Sequence, residues 1–535
     1  MLEIRPIGGV GQIGSNSTLI KTKKDCFLID CGILFPYEDF FDLNYLIPDL
    51  SFVEDKPTKL IITHGHEDHI GAIVHFLESY PQIEVWAPEF AKLLIEKKLA
   101  RKKLSKKVHV YKRDSKIELD DTTIIPIQVN HSIPDTYGIL VNNEDKSLFL
   151  VSDFKIDEKP IYEPDFDFEK LLSYSKGKTK ILLADSTNIL SNNLKTPSEE
   201  SLISDFESII KNSNERLFVT TFASNIFRIK TILDLAKKLG RRVVPHGRSM
   251  ISYIDSAIEA GIITDTSVLR DVDSIDPNDK KLIVLLTGCQ GDFKGSFRRV
   301  AIGEDSRFKI NQNDTFILSS KSIPGNEKKI SLLLNSIYSF NAKAITVADA
   351  NIHVSGHPGK RDLEILYSKF DPNIAIPIHG ETAFIHKHVD WIKDKFPKTK
   401  PITLKNFDKV IFDNNKVKIE QVKDSPEPLL IHGNYLVIEK TKISERRKLA
   451  CNGAIFISIN KDSLAKRRPQ INVDFMGLPL FIDNHKESFE EFLKTSLKDR
   501  KIKLIEKTQE EIRIETRRYF NNILGYKPIT TVHFV

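Results

Sequence analysis

The sequence has no run of eighteen apolar residues, which excludes an ordinary membrane-spanning helix. Its four cysteines, Cys26, Cys31, Cys289 and Cys451, form no C-x-x-C pair. That argues against a thiolate zinc site and suits a reducing, cytoplasmic setting. The opening "MLEIRPIGGVGQIG" lacks a basic segment followed by an apolar one, so no secretory leader is expected. Internal repeats and low-complexity stretches are also missing. Neither sign of charge dominates: 79 basic against 73 acidic residues leave +6, which permits a polyanionic partner without requiring one.

What is present is a long chain of globular composition, 40% hydrophobic and 28% charged over 535 residues. That length is too great for one core and suggests about two to four domains. One basic run stands out, "KKLARKKLSKK" from Lys97 to Lys107. It reads either as a solvated helix and turn or as a patch that tracks phosphates.

The first part reads β-rich. "STLIKT", "CFLIDCG" and "KLIITHG" are short strands, and "GAIVHFLESY" and "PEFAKLLIEKKLARKK" have helical spacing. Four further strands are expected to end at His131, near Asn142, at Asp153 and at Asp185. From about Pro197 strands alternate with helices, which predicts a parallel sheet covered on both faces. A candidate linker, "VKDSPEPLLIHGN", precedes a last hundred or so residues of α+β pattern. "GGVGQIG" mimics a dinucleotide fingerprint at Gly9, Gly11 and Gly14, with Asp30 beyond it. The fingerprint requires a helix directly after the glycines, whereas "SNSTLIK" and "DCFLID" have a hairpin pattern, so NAD and FAD are excluded.

The chemistry concentrates in "TKLIITHGHEDHIGA". A buried-looking strand leads into His64, His66, Asp68 and His69, a cluster able to face two ions. A local cluster cannot close a coordination sphere, so distant ligands are needed. The candidates are polar residues that abruptly end apolar strands: His131, Asp153 and His379. Imidazole and carboxylate without thiolate suit Zn or Mn.

"HGHEDH" followed by a lone His and a lone Asp resembles the metallo-β-lactamase motif series. "LLADSTN" at Asp185, "HVSGH" ending at His357 and "PIHGE" at His379 resemble the extra motifs of its β-CASP nucleic-acid-processing branch. "GGVGQIGSN", "IDCGILFP", "IPDLSF", "TFASNI", "GRSM", "TGCQGD" and "IPGNE" are, in order, similar to the ribonuclease J family across nearly the whole chain. The resemblance implies an α/β fold: a metallo-β-lactamase αββα sandwich from residues 1–197 and 352–422, and an inserted β-CASP α/β domain from 198–351. A linker at 423–434 and a small α+β C-terminal domain at 435–535 would follow, with the active site in the cleft between the first two domains. The chain departs from the family pattern at Phe227, Lys321, Cys289 and Asp292, positions that bear on substrate preference, and it keeps every ligand.

The resemblance further implies a metal-dependent ribonuclease, 5′-to-3′ exonucleolytic and endonucleolytic, acting in mRNA decay and rRNA maturation. Two divalent ions, Zn or Mn, about 3.5–4 Å apart would serve it. His64, His66 and His131 would hold one ion, Asp68, His69 and His379 the other, with Asp153 bridging. Asp68 or Asp185 would orient the attacking water or accept its proton, and His357 would serve the leaving or non-bridging oxygen. His353, Val354, Ser355, Gly356 and His357 would form a pocket for a 5′-monophosphate. The implied partners are single-stranded RNA, preferentially 5′-monophosphorylated, further copies of the chain in a homodimer or homotetramer, and an RNA-decay complex, with no membrane. Two other readings compete. A small-substrate metallo-hydrolase would need no inserted domain, and a non-catalytic RNA scaffold would not need complete ligands. A DNA-repair β-CASP nuclease would be expected to carry another residue, often Val, at His379.

Overall fold

Strands Lys146–Val151 and Thr179–Asp185 read as continuous apolar runs because both of their faces are covered. Successive side chains alternate between two cores. Leu148, Leu150, Ile181 and Leu183 turn one way and meet Leu2, Ile4, Ile20, Phe27 and Ile29 from a second sheet. Phe149, Val151, Leu182 and Ala184 turn the other way, against Leu171, Leu363, Leu366, Phe370 and Ile392 from helices Phe168–Ser175, Lys360–Phe370 and Thr382–Lys395.

This is a computed structural model, and it describes residues 1–36, 43–323, 325–413, 416–433, 436–465, 469–498 and 505–535. Pro324 of the "IPGNE" motif and Asn434 of the expected linker lie outside the described residues. The seven-stranded sheet runs in the order Lys400–Pro401, Ile374–Ile378, Thr179–Asp185, Lys146–Val151, Tyr137–Asn143, Thr122–Gln128, Ile117–Glu118. The eight-stranded sheet facing it runs Lys416–Glu420, Lys409–Asp413, Leu2–Gly8, Ser17–Lys21, Cys26–Ile29, Lys59–Ile61, Glu84–Ala87, Val108–Val110. Its last four strands are parallel. The expected hairpin after the glycine run is present, with Ser17–Lys21 antiparallel to Cys26–Ile29 and no helix between them.

Inserted after this β-rich part is a separate five-stranded sheet in which every pairing is parallel. Its order is Arg242–His246, Leu282–Leu286, Leu217–Thr220, Thr315–Leu318, Lys343–Ile345. Phe218, Val284, Leu286 and Phe316 pack on Phe297, Val300, Leu333 and Ile337 from its helices. Arg216, 1% exposed, pairs with Asp314 at 2.5 Å at the foot of this domain.

A second contact unit comprises Leu429–Val535 together with a short earlier segment. Its sheet has the order Ile471–Met476, Ala454–Ile459, Ile529–Phe534. Ile455, Ile457 and Ile459 pack with Phe489, Leu493 and Leu497 of one helix and Ile512 and Phe520 of another. Two features here differ from expectation. Leu429–His432, inside the expected linker, is a strand paired with Leu436–Ile438. Lys440–Asn452 is a helix in which Ile443 alone is buried, so it carried no apolar stripe to read. Among the described residues no helix is long and apolar enough to cross a membrane.

Candidate metal centre

Parallel pairing brings the functional residues together. Val151 is level with Ala184, and Ala184 with Pro377, so Asp153, Asp185 and His379 emerge side by side at the carboxyl ends of three adjacent strands. In the facing sheet Ile29 is level with Ile61, which places Asp30 beside the start of "THGHEDH". The expected strand ends shift slightly. His131 lies three residues past Gln128 and Asp153 two past Val151, so both sit in short loops rather than on the strands. Loops suit them, because a side chain there is free of the strand's fixed alternation. After His66, the one-turn helix Glu67–Ile70 turns Asp68 and His69 back toward the same point.

Two groups result, His64, His66, His131 and Asp153, and Asp68, His69, Asp153 and His379, each with all its ligand atoms within 4.8 Å of one another. In the first, His66 Nδ1 is 3.1 Å from both His64 Nε2 and His131 Nε2. Asp153 Oδ2 lies 3.4 Å from His131 Nε2. In the second, Asp153 Oδ1 is 3.0 Å from His69 Nε2 and 3.6 Å from His379 Nε2. Asp68 Oδ2 is 3.6 Å from His69 Nε2 and 3.8 Å from His379 Nε2. Asp153 thus offers one oxygen to each group.

The donor set fits divalent cations. Three imidazole nitrogens within 4.8 Å of one another, two of them in contact with His66 Nδ1, cannot all be satisfied by one another, since a neutral ring has one proton to give. His379 Nε2 and Asp153 Oδ1 are buried without a hydrogen-bond partner. The opposite ring nitrogens are engaged. His131 Nδ1 donates to Gly356 O at 2.7 Å, His379 Nδ1 to Asn16 Oδ1 at 2.9 Å and His69 Nδ1 to Asp30 Oδ2 at 2.7 Å. In the neutral ring that a metal ligand must be, each such bond leaves the lone pair on Nε2, facing the cluster, where Asn16 Nδ2 also lies 3.0 Å from His69 Nε2. Burial, reinforced by neighbouring imidazoles, holds His64 and His66 well below the ordinary histidine range and His131 at about 3, so all three are neutral, as ligands must be. In the metal-free protein burial opposes a charge on His69, yet Asp153, Asp68 and Asp30 raise it well above the ordinary histidine range. Burial likewise opposes the charge on Asp153, yet His379 and His69 hold its carboxyl well below the usual range. A bound cation would take the place of the His69 proton.

Asp30, Asn16 and Thr63 complete the surroundings, and sequence reasoning did not assign them there. Asp30 accepts from Thr63 N and Thr63 Oγ1, both at 2.8 Å, as well as from His69. Asp30 ends an apolar strand just as Asp153 does, and that was the available signal.

His357 Nδ1 is 2.7 Å from Asp185 Oδ2. Burial works against its charge, but Asp185, with help from Asp153, raises the imidazole to about 9. Asp185 is fully buried and its other oxygen accepts from Thr187 N at 2.7 Å. Both of its oxygens are thus engaged, one by His357 and one by the Thr187 amide. The Val354 side chain is in the core, 3% exposed, and its carbonyl accepts from Arg228, so of this residue only the backbone lies along the expected pocket. Gly356 contributes its carbonyl to His131, and a Cβ there would come within 2.7 Å of that ring. His353 and Ser355 stand half-buried beside His357.

Of the departures, Phe227 is buried and stacks on Tyr162, Cys289 is buried and Lys321 is exposed. In the basic run, helix Glu89–Arg101 spends Lys97 on Ser256 Oγ at 2.7 Å and Lys98 on Glu67 at 2.6 Å, as a structural helix would.

Two facing sheets with such a centre at their strand ends, interrupted by a parallel-sheet domain, define a metallo-β-lactamase-superfamily hydrolase of the β-CASP type. Residues 10–140 match the metallo-beta-lactamase superfamily, 214–337 the family described as "Ribonuclease J, beta-CASP domain", and 348–403 a "Zn-dependent metallo-hydrolase RNA specificity domain". Ribonuclease J of Sinorhizobium meliloti is 29% identical over 98% of this chain and 96% of its own length. Ribonuclease J of Helicobacter pylori strain 26695 is 30% identical over 89% of this chain and 71% of its own. A crystal structure of an Enterococcus faecalis protein of unknown function shares the fold, with a TM-score of 0.56 at 15% identity over 77% of this chain and all of that one. The chain belongs to the ribonuclease J family.

Proposed function

We propose that this protein hydrolyses RNA phosphodiesters with two bound divalent ions, Zn or Mn, as a 5′-to-3′ exonuclease that also cuts internally. The observation that carries the reading is the paired His/Asp cluster sharing Asp153, within a chain of ribonuclease J type. His64, His66 and His131 would hold one ion and Asp68, His69 and His379 the other, with Asp153 common to both. When bound, the ions would supply charge neutralisation at phosphorus and acidify the attacking water.

The chain's own groups do the rest. Asp68, the most exposed of the carboxylates in the cluster, orients the water and takes its proton. His357, held through Nδ1 by Asp185, serves the leaving 3′-oxygen or a non-bridging oxygen. His353 and Ser355 receive the terminal monophosphate of single-stranded RNA. In the same reading the sandwich comprises residues 1–197 and 352–422, the β-CASP insert 198–351, and a C-terminal domain 435–535 that follows a linker and assists a homodimer or homotetramer. The setting is cytoplasmic mRNA decay and rRNA maturation, alone or within a decay complex.

The test is 5′-monophosphorylated, end-labelled RNA beside the same strand as DNA, with Zn or Mn, for the wild type and His66→Ala. Mononucleotide release from RNA alone, abolished in the variant together with part of the bound metal, is expected. Full turnover in His66→Ala would sink the ligand assignment.

A further inference from the structure

The segment Ile352–His357 alternates, with Ile352, Val354 and Gly356 buried and His353, Ser355 and His357 half-buried. Its two pocket side chains are wired from behind. His353 Nδ1 lies 2.9 Å from Arg228 Nη1. A guanidinium has only donors and keeps its charge, so the imidazole accepts at Nδ1 and carries its proton on Nε2. Burial and then the Arg228 and Lys321 charges push His353 down to about 3, against a hydrogen bond to the Ser319 backbone, so the ring is neutral at working pH.

Arg228 has no freedom to swing away. It is fully buried, and Nη2 and Nε donate to the two Glu199 oxygens at 2.7 and 3.3 Å. Nη1 also donates to Ser319 O at 3.0 Å, and Nη2 to Val354 O at 3.3 Å.

Ser355 is constrained by a different residue. Its Oγ accepts from Asn188 Nδ2 at 3.0 Å and from His357 N at 3.1 Å. The Asn188 amide cannot be reversed, because Nδ2 is also 3.0 Å from His357 O, which only accepts. A hydroxyl has two lone pairs and one proton. With both lone pairs engaged, the Ser355 proton points away from Asn188.

We infer that Arg228 and Asn188 are positioning residues that fix His353 and Ser355 as hydrogen-bond donors, so that the pair selects the acceptor-only oxygens of a terminal phosphate over a 5′-hydroxyl. The inference rests on the reading of this segment as the 5′ pocket. Glu199, Arg228, Asn188 and Ser319 would then set end specificity without touching RNA.

Two measurements test it. In the full-length, metal-free protein labelled with 15N-histidine, two-bond nitrogen–proton correlations report each tautomer, and His353→Gln identifies the signal. A neutral His353 with its proton on Nε2 is expected at neutral pH, whereas a proton on Nδ1 or an imidazolium overturns the inference. The second is the ratio of rates on 5′-monophosphate and 5′-hydroxyl RNA in the wild type, Asn188→Leu and Asn188→Asp. The ratio should fall in Asn188→Leu and by about tenfold or more in Asn188→Asp, whose carboxylate would capture the Ser355 proton. An unchanged ratio in both variants overturns the inference. A wild type that cleaves RNA with no 5′ preference would refute the pocket reading itself, whatever the tautomer. A wild type with that preference but the opposite tautomer would refute the inference alone.

Discussion

Replacing Asp30 by Asn would weaken metal binding without touching a ligand. The exchange preserves shape, and Asn tolerates the left-handed backbone of this residue, φ 63°, as well as Asp does. What changes is the number of acceptors. Asp30 takes three hydrogen bonds, two from Thr63 and one from His69 Nδ1 at 2.7 Å. An amide has one oxygen. If that oxygen stays on Thr63, the NH2 faces Nδ1, which must then accept, and the His69 proton moves to Nε2. That proton would occupy the lone pair aimed at Asp153 and the second cluster. Losing such an outer partner costs about 10–100-fold in metal affinity, or about 1.4–2.7 kcal/mol. Burial raises the Asp30 carboxyl while His69 lowers it, and Asp30 in turn helps to raise His69, so losing this buried pair should also lower the stability of the metal-free fold. Competition against a chelator of known affinity measures the first quantity and denaturant unfolding of the metal-free protein the second. Unchanged affinity with unchanged stability would refute the reasoning that Asp30 sets the His69 tautomer.

Two further outcomes follow from packing and from burial. A Cβ on Gly32 would sit 1.6 Å from Asp68 O, so Gly32→Ala should displace the His66–His69 turn. We expect a loss of about 1–3 kcal/mol in unfolding free energy and a fall in bound metal, read by denaturant titration and metal analysis. His388 is fully buried between Ser186 and Tyr367, and burial holds it at about 3. The unfolded chain therefore takes up a proton near pH 6.5 that the folded chain refuses, so this contribution to stability is full above about pH 6.5 and is lost as pH falls toward 3. It should amount to about 2 kcal/mol between pH 7 and pH 5. Comparing urea unfolding of metal-free wild type and His388→Gln at the two pH values checks it, and an equal pH dependence in both would contradict it.

Four of the candidate ligands could be read from the sequence because each follows an apolar run. His64, His131, Asp153 and His379 all follow runs such as "KLII" or "AIPI", where a polar residue has no packing reason to be. Asp30 has the same signature after "CFLI", but its partner His69 lies on a neighbouring strand's loop. Only the non-local register of Ile29 with Ile61 reveals that pairing. The motif that contains Asp185 likewise names a residue but not which way its carboxylate points or how deeply it lies, and its bonds to His357 and the Thr187 amide show only in the structure. The motif "HVSGH" does not say which of its side chains turn inward; the extended backbone of that segment sends alternate ones, Ile352 and Val354, into the core. The helix Lys440–Asn452 left no trace in the pattern, because a mostly exposed helix needs no apolar face.

His64, His66, Asp68 and His69 hang from the eight-stranded sheet, while His131, Asp153 and His379 hang from the seven-stranded one. The centre is therefore a cross-brace between the two halves of the sandwich as well as a place for chemistry. A cation held by these groups would be gripped from both sides and would resist shear of one sheet over the other, its binding free energy adding to the cohesion of the Ile4, Phe27, Ile139 and Leu183 core. Loosening that core should then weaken the grip on such a cation.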